Sequence, residues 1–166
     1  MSIKSFKHYF LVIVFTMVGS HLKAQEINWL NFEQLEDSLK VQPKPVFIDF
    51  YTSWCTYCRK MDKVVFTKSE IINILNTNYY AVRMDAESTD SIYFDDQLFV
   101  NKQAENKRNG FHQIAMTLGQ RNNQFIPPTL IVLNKDFTVR DRYFIYLDSK
   151  KLLQSLEKNE QITKGT

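Results

Sequence analysis

The stretch Val46-Phe47-Ile48-Asp49-Phe50-Tyr51-Thr52-Ser53-Trp54-Cys55-Thr56-Tyr57-Cys58-Arg59-Lys60 carries most of the information in this chain. Its first six residues are nearly all apolar and rich in β-formers, the pattern of a central strand buried on both faces. Its last residues open an amphipathic helix that runs to about Phe66. Cys58, Met61 and Val65 share one face of that helix, and Arg59, Lys60, Asp62 and Lys63 point away. Between strand and helix stands a Cys-x-x-Cys pair. Cys55 and Cys58 are the only 2 cysteines among 166 residues.

A helix begins with backbone N–H groups that have no intrahelical partner, and its dipole favours an anion there. Thiols at such sites have pKa values of about 3.5 to 7.5, against about 8.5 for a free cysteine. Cys55, at the junction, is expected to be the exposed attacking thiol. Cys58, one turn further in, is placed to resolve the mixed disulfide that Cys55 forms. Thiol–disulfide exchange is the leading reading. A structural zinc site takes about four Cys or His ligands, and beyond the N-terminal leader the chain offers Cys55, Cys58 and His112 alone. Covalent haem would want a histidine directly after Cys58, where Arg59 stands. An inert staple is the remaining alternative, although so small a loop stabilises less than a long one in the entropy model. No metal or organic cofactor is expected.

Upstream, Lys4 and Lys7 precede an apolar run from Phe10 to Val18. Gly19 and Ser20 break the run, and Ala24 offers a small residue before Gln25. Residues 1–24 have the layout of a secretory signal peptide. The run is about half the roughly 20 residues of a membrane span. Leu22 is large for the cleavage pattern, so an uncleaved anchor stays open. The leader holds Lys4, Lys7 and Lys23 and no acid, so its removal takes the formal net charge from +3 to zero. A neutral surface provides no field for nucleic acid or an anionic membrane. The expected mature protein is exported to the periplasm, monomeric and not stably inserted in the membrane. Disulfides form in that compartment.

Residues 25–160 read as one domain, followed by a polar tail at 161–166. Asn31 caps a helix to Leu39, with Gln34 three residues on, and Gln25 to Lys44 reads as a single helix closed by Pro43 and Pro45. Ser69 is expected to cap Glu70 to Leu75. Tyr80 to Met84 reads as a second strand. Residues 87–110 read as an insertion with two apolar islands, Ile92-Tyr93-Phe94 and Leu98-Phe99-Val100, and a short helix is expected within it. A partner-recognition flap using Tyr93, Phe94 and Phe99 competes there with a decoration that buries its own islands. Phe111 to Leu118 returns to helix, with His112 on its surface. Thr129 to Leu133 and Val139 to Tyr146 form a hairpin around Asn134 to Asp136. Asp148 caps a final helix that turns Leu152, Leu153 and Leu156 inward. Early strands separated by helices imply parallel pairing, and the late hairpin adds antiparallel strands. The expected fold is α/β, a central mixed sheet flanked by helices on both faces.

Phe47-Ile48-Asp49-Phe50-Tyr51 followed by Trp54-Cys55-Thr56-Tyr57-Cys58-Arg59-Lys60-Met61 resembles the thioredoxin family. Pro128-Thr129, before Leu130-Ile131-Val132-Leu133, matches that family's cis-proline-Thr signature. The resemblance runs from about Asn28 to Asn159. Cys-Arg-Lys-Met and the preceding Lys44-Pro45-Val46-Phe47 are similar to exported thioredoxin-like proteins and to the periplasmic reductase domain of DsbD-type carriers. The resemblance implies that Asp49 moves a proton off the resolving cysteine. A carboxylate in an apolar strand also fits that role by its desolvation. Its alternative is an Asp turned to solvent at the strand edge. Pro128 is implied to be cis and to pack beside the disulfide. Trp54, Tyr57, Pro127 and Thr129 are the implied substrate-facing positions, with core packing as the alternative for Trp54. Thr56-Tyr57 replaces the Gly-Pro of thioredoxin, so the reduction potential does not carry over. Pro127 has no N–H and removes one backbone hydrogen bond to substrate. The implied partners are cysteines of other exported proteins and a membrane thiol carrier that donates electrons. The implied direction is reduction, with an oxidase or isomerase, or a binding module, as the rivals.

Overall fold

A computed structural model describes residues 26–163, with side chains described to residue 158. The leader expected over residues 1–24 lies outside the described residues. The chain enters through β1 (Trp29–Leu30) and α1 (Phe32–Val41). β2 (Val46–Tyr51), α2 (Thr56–Val64), α3 (Ser69–Asn78) and β3 (Tyr80–Asp85) follow. A hairpin of β4 (Ile92–Phe94) and β5 (Gln97–Phe99) and a 3-10 turn (Lys102–Glu105) precede α4 (Gln113–Gly119). A second small hairpin, β6 (Gln120–Arg121) and β7 (Gln124–Phe125), leads to β8 (Thr129–Leu133), β9 (Val139–Tyr143) and α5 (Ser149–Thr163).

The central sheet has the order β1-β3-β2-β8-β9. β1 and β2 run parallel to β3, β8 runs antiparallel to β2, and β9 antiparallel to β8. The mixed sheet expected from the element order is therefore present. β2 lies at its centre, and its side chains alternate between two cores as the pleat requires. Phe47 joins Ala81, Leu130 and Val132 against α2, α3 and α5, through Met61, Ile71, Leu75, Leu152 and Leu156. Val46, Ile48 and Phe50 join Val82, Ile131 and Leu133 against α1, β4 and α4, through Phe32, Leu35, Ile92 and Ile114. A strand covered on both faces is apolar throughout, which is why Asp49 is the exception worth explaining.

Local chemistry sets several boundaries as expected. Asn31 Oδ1 accepts the Gln34 N–H at 2.7 Å, and Gln34 Oε1 accepts the Asn31 N–H at 3.0 Å, a reciprocal capping box. Asp148 Oδ1 accepts the Lys151 N–H at 2.9 Å and starts α5. The cap expected at Ser69 does not form: Lys68 holds the cap position, and the Ser69 hydroxyl turns to Glu70. Burial of Ile71, Ile72 and Leu75 holds α3 in its place.

Other expectations are corrected by packing. Gln25 to Lys44 is not one helix, because Trp29–Leu30 pairs with Ala81–Val82 as an edge strand. The Trp29 ring packs edge-on against Phe66 at 5.2 Å, a contact no local pattern announces. Residues 87–110 hold a β-hairpin that was not expected, and the short helix expected there is a single 3-10 turn. Asp95 and Asp96 turn that hairpin at φ 52 and 56, a left-handed conformation that Asp tolerates. Phe94 packs on Phe32 and Phe137 at 5.5 and 5.8 Å, and Phe99 joins the same core. The islands thus bury Ile92 and cover Phe94 and Phe99 in part, while Leu98 stays exposed, and of the three suggested flap contacts Tyr93 alone stays exposed. β9 stops at Tyr143, short of Tyr146. α5 runs to Thr163, into residues 161–166 that were expected to form the polar tail. Among the described residues no helix is long and apolar enough to cross a membrane.

Candidate active site

β2 ends at Tyr51, and Thr52 to Trp54 turn the chain into α2. Cys55 is the N-cap of α2. Its Sγ accepts the backbone N–H of Cys58 at 3.0 Å, the contact a helix cap makes with an orphan donor. The same donor would stabilise a thiolate at Cys55 once the disulfide opens. Cys55 and Cys58 are joined as a disulfide. The expectation of an exposed Cys55 above an inner Cys58 is corrected in this oxidised form: the two are 4% and 3% exposed. The cap contact, not exposure, separates them. Arg59 braces the turn, donating to the Ser53 carbonyl at 2.8 Å and to the Thr56 hydroxyl at 3.2 Å.

Asp49 does not face solvent. It is 2% exposed and has the parity of Phe47, so it lies on the α2 face of β2. Arg83, its register partner on β3, brings Nε to 3.1 Å from Asp49 Oδ2. The two atoms attract as charges, but their alignment leaves both without a hydrogen-bond partner. Arg83 spends its better geometry on Asp62 of α2, with Nη2 to Oδ1 at 2.6 Å. The guanidinium stacks 4.4 Å from the Tyr51 ring centre and 5.6 Å from that of Trp29. Burial raises the Asp49 carboxyl to about 7; Arg83 pulls the other way, and Asp62 pushes with burial. A group near 7 exists in both protonation states at neutral pH, which suits proton transfer. A cleft of about 320 Å³ lined by Trp29, Asp62, Phe66 and Arg83 brings solvent to the outer side of this network.

The Pro127–Pro128 peptide bond is cis, as expected for Pro128. Thr129, the first residue of β8, pairs with Phe50 near the end of β2. The two prolines therefore sit at the sheet end that carries the disulfide. Thr129 is fully buried, and its hydroxyl donates to the Ile126 carbonyl at 2.8 Å. It shapes the loop and presents no surface to a substrate. Trp54 and Tyr57 are exposed, at 52% and 59%, so the core-packing alternative for Trp54 is set aside. The Tyr57 ring lies 6.0 Å from that of Tyr146, which Lys60 caps at 4.6 Å.

His112 is not a surface residue. It is fully buried and is the N-cap of α4. Its Nδ1 accepts the Ile114 N–H at 3.2 Å, and its Nε2 lies 3.2 Å from the Asp90 carbonyl oxygen. That pair of partners fits a single neutral tautomer, with the proton on Nε2. Sequence reading also missed Arg83, Asp62 and Glu87. An arginine inside the second central strand was the available signal for Arg83. The partners of Glu87 are set by tertiary contacts alone.

A mixed sheet whose central strand delivers a helix-capping Cys-x-x-Cys pair, with a cis-proline loop at the same end, defines a thiol–disulfide oxidoreductase of the thioredoxin type. The chain belongs to the thioredoxin-like domain family, whose model matches residues 32–160. It is 27% identical over 86 residues to the thiol:disulfide interchange protein DsbD of Campylobacter jejuni, covering 51% of this chain and 15% of that protein. The chain thus spans a small part of that relative's length. Among solved structures it is similar to a thioredoxin from Thermus thermophilus, with a TM-score of 0.56 and 13% identity over 81% of this chain and 87% of that one. It is also similar to a disulphide isomerase from Xylella fastidiosa, with a TM-score of 0.50 and 17% identity over 85% and 94% of the two chains. At these identities the structural likenesses establish the fold.

Proposed function

We propose that this protein is an exported, periplasmic reductase of disulfides in other exported proteins. Residues 1–24 serve as the leader, and the rest acts as a monomeric thioredoxin-like domain. Residues 87–110 form its insertion. The observation that carries the chemistry is Cys55 Sγ on the Cys58 N–H at 3.0 Å, at the start of a helix that covers a buried Asp49 with a carboxyl near 7.

In the reducing direction Cys55 thiolate attacks a substrate disulfide. A mixed disulfide forms, and the first substrate sulfur leaves as a thiolate. Cys58 then gives its proton to Asp49 and attacks the Cys55 sulfur. The second substrate sulfur leaves, and the Cys55–Cys58 disulfide holds the two electrons' worth of oxidation. Pro128 borders the site, and Trp54, Tyr57 and Pro127 face the substrate chain. A dithiol carrier in the membrane returns the pair to the reduced form. The similarity to part of a thiol:disulfide interchange protein supports that pairing. Nucleic acid has no role in this scheme, and the dithiol itself is the electron carrier.

Cys58→Ser tests it. The variant should accumulate mixed disulfides on Cys55 with exported proteins, resolved by dithiothreitol. A variant that traps nothing would reduce the protein to a binding module with a stapled turn. The direction is read from the reduction potential. A value near −270 mV, as in thioredoxin, supports a reductase, and one above about −180 mV makes the protein an oxidase or isomerase.

A further inference from the structure

Trp54 is half exposed, yet its indole is held. Its Nε1–H donates to both carboxylate oxygens of Glu87, at 3.0 and 3.1 Å. Glu87 Oε1 also accepts from Asn109 Nδ2 at 3.0 Å. Glu87 opens the 87–110 segment and Asn109 stands at its far end. The two ends of the insertion therefore meet on the residue that holds the tryptophan next to Cys55.

The rest of the segment is laced so that this junction is firm. The Glu87 N–H donates to Asp85 Oδ1 at 2.9 Å, which ties it to the end of β3. Asn101 is 7% exposed and sits in the middle of the loop. Its Nδ2 reaches the carbonyls of Glu87, Ser88 and Gly110 at 3.4, 3.0 and 2.7 Å, and its Oδ1 caps the 3-10 turn at the Ala104 N–H. Start, middle and end of the insertion are thus fixed to one another by a buried amide, and the exposed product of that order is a fixed indole.

We propose that Glu87 is a positioning residue for the exchange reaction, through which the 87–110 segment holds Trp54 as a preset wall for an extended substrate polypeptide that carries the cystine. The proposal rests on the thiol–disulfide reading above. A free indole loses rotamer freedom when a chain docks on it, whereas a held one has lost it already, and the difference appears in binding. A small disulfide reaches Cys55 without spanning that wall. Glu87 should therefore act on KM for polypeptide substrates and leave the rate on a small disulfide alone.

The test compares turnover of insulin, with dithiothreitol regenerating the dithiol, with stoichiometric reduction of 5,5′-dithiobis(2-nitrobenzoate) by the pre-reduced full chain, alongside acrylamide quenching of tryptophan emission. Trp54→Phe identifies the share of emission due to Trp29. Glu87→Ala should raise KM for insulin about fivefold with kcat unchanged, which is ~1 kcal/mol at 1.4 kcal/mol per tenfold, the size of one hydrogen bond. Its rate on the small disulfide should stay within about twofold, and quenching of Trp54 should increase. Glu87→Gln keeps an acceptor for the indole without the charge, and should lie near wild type in KM. Asn109→Ala should move both readouts in the same direction as Glu87→Ala and by less. Released Trp54 emission with an unchanged insulin KM overturns the proposal. So does an Asn109→Ala variant whose Trp54 quenching matches wild type, because the insertion is then not coupled to the indole. Equal shifts in Glu87→Ala and Glu87→Gln on both substrates also overturn it, since charge and not position then matters. A wild-type protein that reduces neither substrate overturns the exchange reading, and this one with it.

Discussion

Asp49→Asn should make the protein more stable in alkali relative to wild type, and the size of the gain follows from burial. The folded carboxyl titrates near 7, against 3.8 when unfolded. Between those values the folded protein keeps a proton that the unfolded chain has lost. The stability from this group is fully present below pH 3.8 and is lost as pH rises through about 7. Each pH unit inside the window is worth about 1.36 kcal/mol. Raising the pH from 5 to 8 crosses about two units of it, so wild type should lose about 3 kcal/mol from this site. Asparagine has the shape of the protonated acid and does not titrate. Arg83 keeps Asp62 at 2.6 Å in the variant, so no cation is left without a partner. Urea unfolding of the oxidised protein at pH 5, 6, 7 and 8 reads the effect directly. The difference between variant and wild type should move by about 3 kcal/mol in favour of the variant over that range. Parallel stability curves would show that Asp49 is ionised or hydrated in the folded state, and would remove the basis for its role as proton acceptor.

Two further outcomes test the scaffold. His112 has its pKa lowered, chiefly by burial, with the Asp90 and Phe99 backbone contacts and the Asp90 charge opposing. The unfolded chain then binds the proton first, so the stability this group contributes should fall as pH drops below 6.5 towards the lowered value; His112→Asn keeps a cap acceptor, and its melting temperature relative to wild type should rise between pH 7 and 5, a constant difference counting against the buried-neutral assignment. A Cβ on Gly110 would lie 2.5 Å from the backbone of Ala104 and Gln103, so Gly110→Ala should cost about 1–3 kcal/mol by overpacking, and an unchanged denaturation midpoint would mean that the loop shifts freely.

The strand Val46–Tyr51, the cysteine cap and Thr129–Leu133 were legible because each is a local pattern: an apolar run, a helix start, a run after proline. The capping box at Asn31 and Gln34 was legible for the same reason, since its partners are three residues apart. The hairpin of Ile92–Phe94 and Gln97–Phe99 was not, because each strand is only three residues long and its turn uses Asp-Asp in place of a glycine. His112 read as surface because nothing in the local pattern marks a lone histidine as buried. It is buried by the Asp90 carbonyl and by the insertion folding over α4.

The sequence by itself determined that a reactive cysteine pair would stand at the junction of a buried strand and a helix, with a carboxylate in that strand and a proline directly before the strand Thr129–Leu133. Those facts depend on residues adjacent along the chain, where backbone geometry allows few outcomes. The tertiary structure alone decided what controls each group. Strand register set Arg83 against Asp49, helix packing brought Asp62 to the same guanidinium, and the closed insertion placed Glu87 on Trp54 and Asn109 on Glu87. Charge and hydrogen bonding act over a few ångströms of space, and only the fold sets which distant residues come that close.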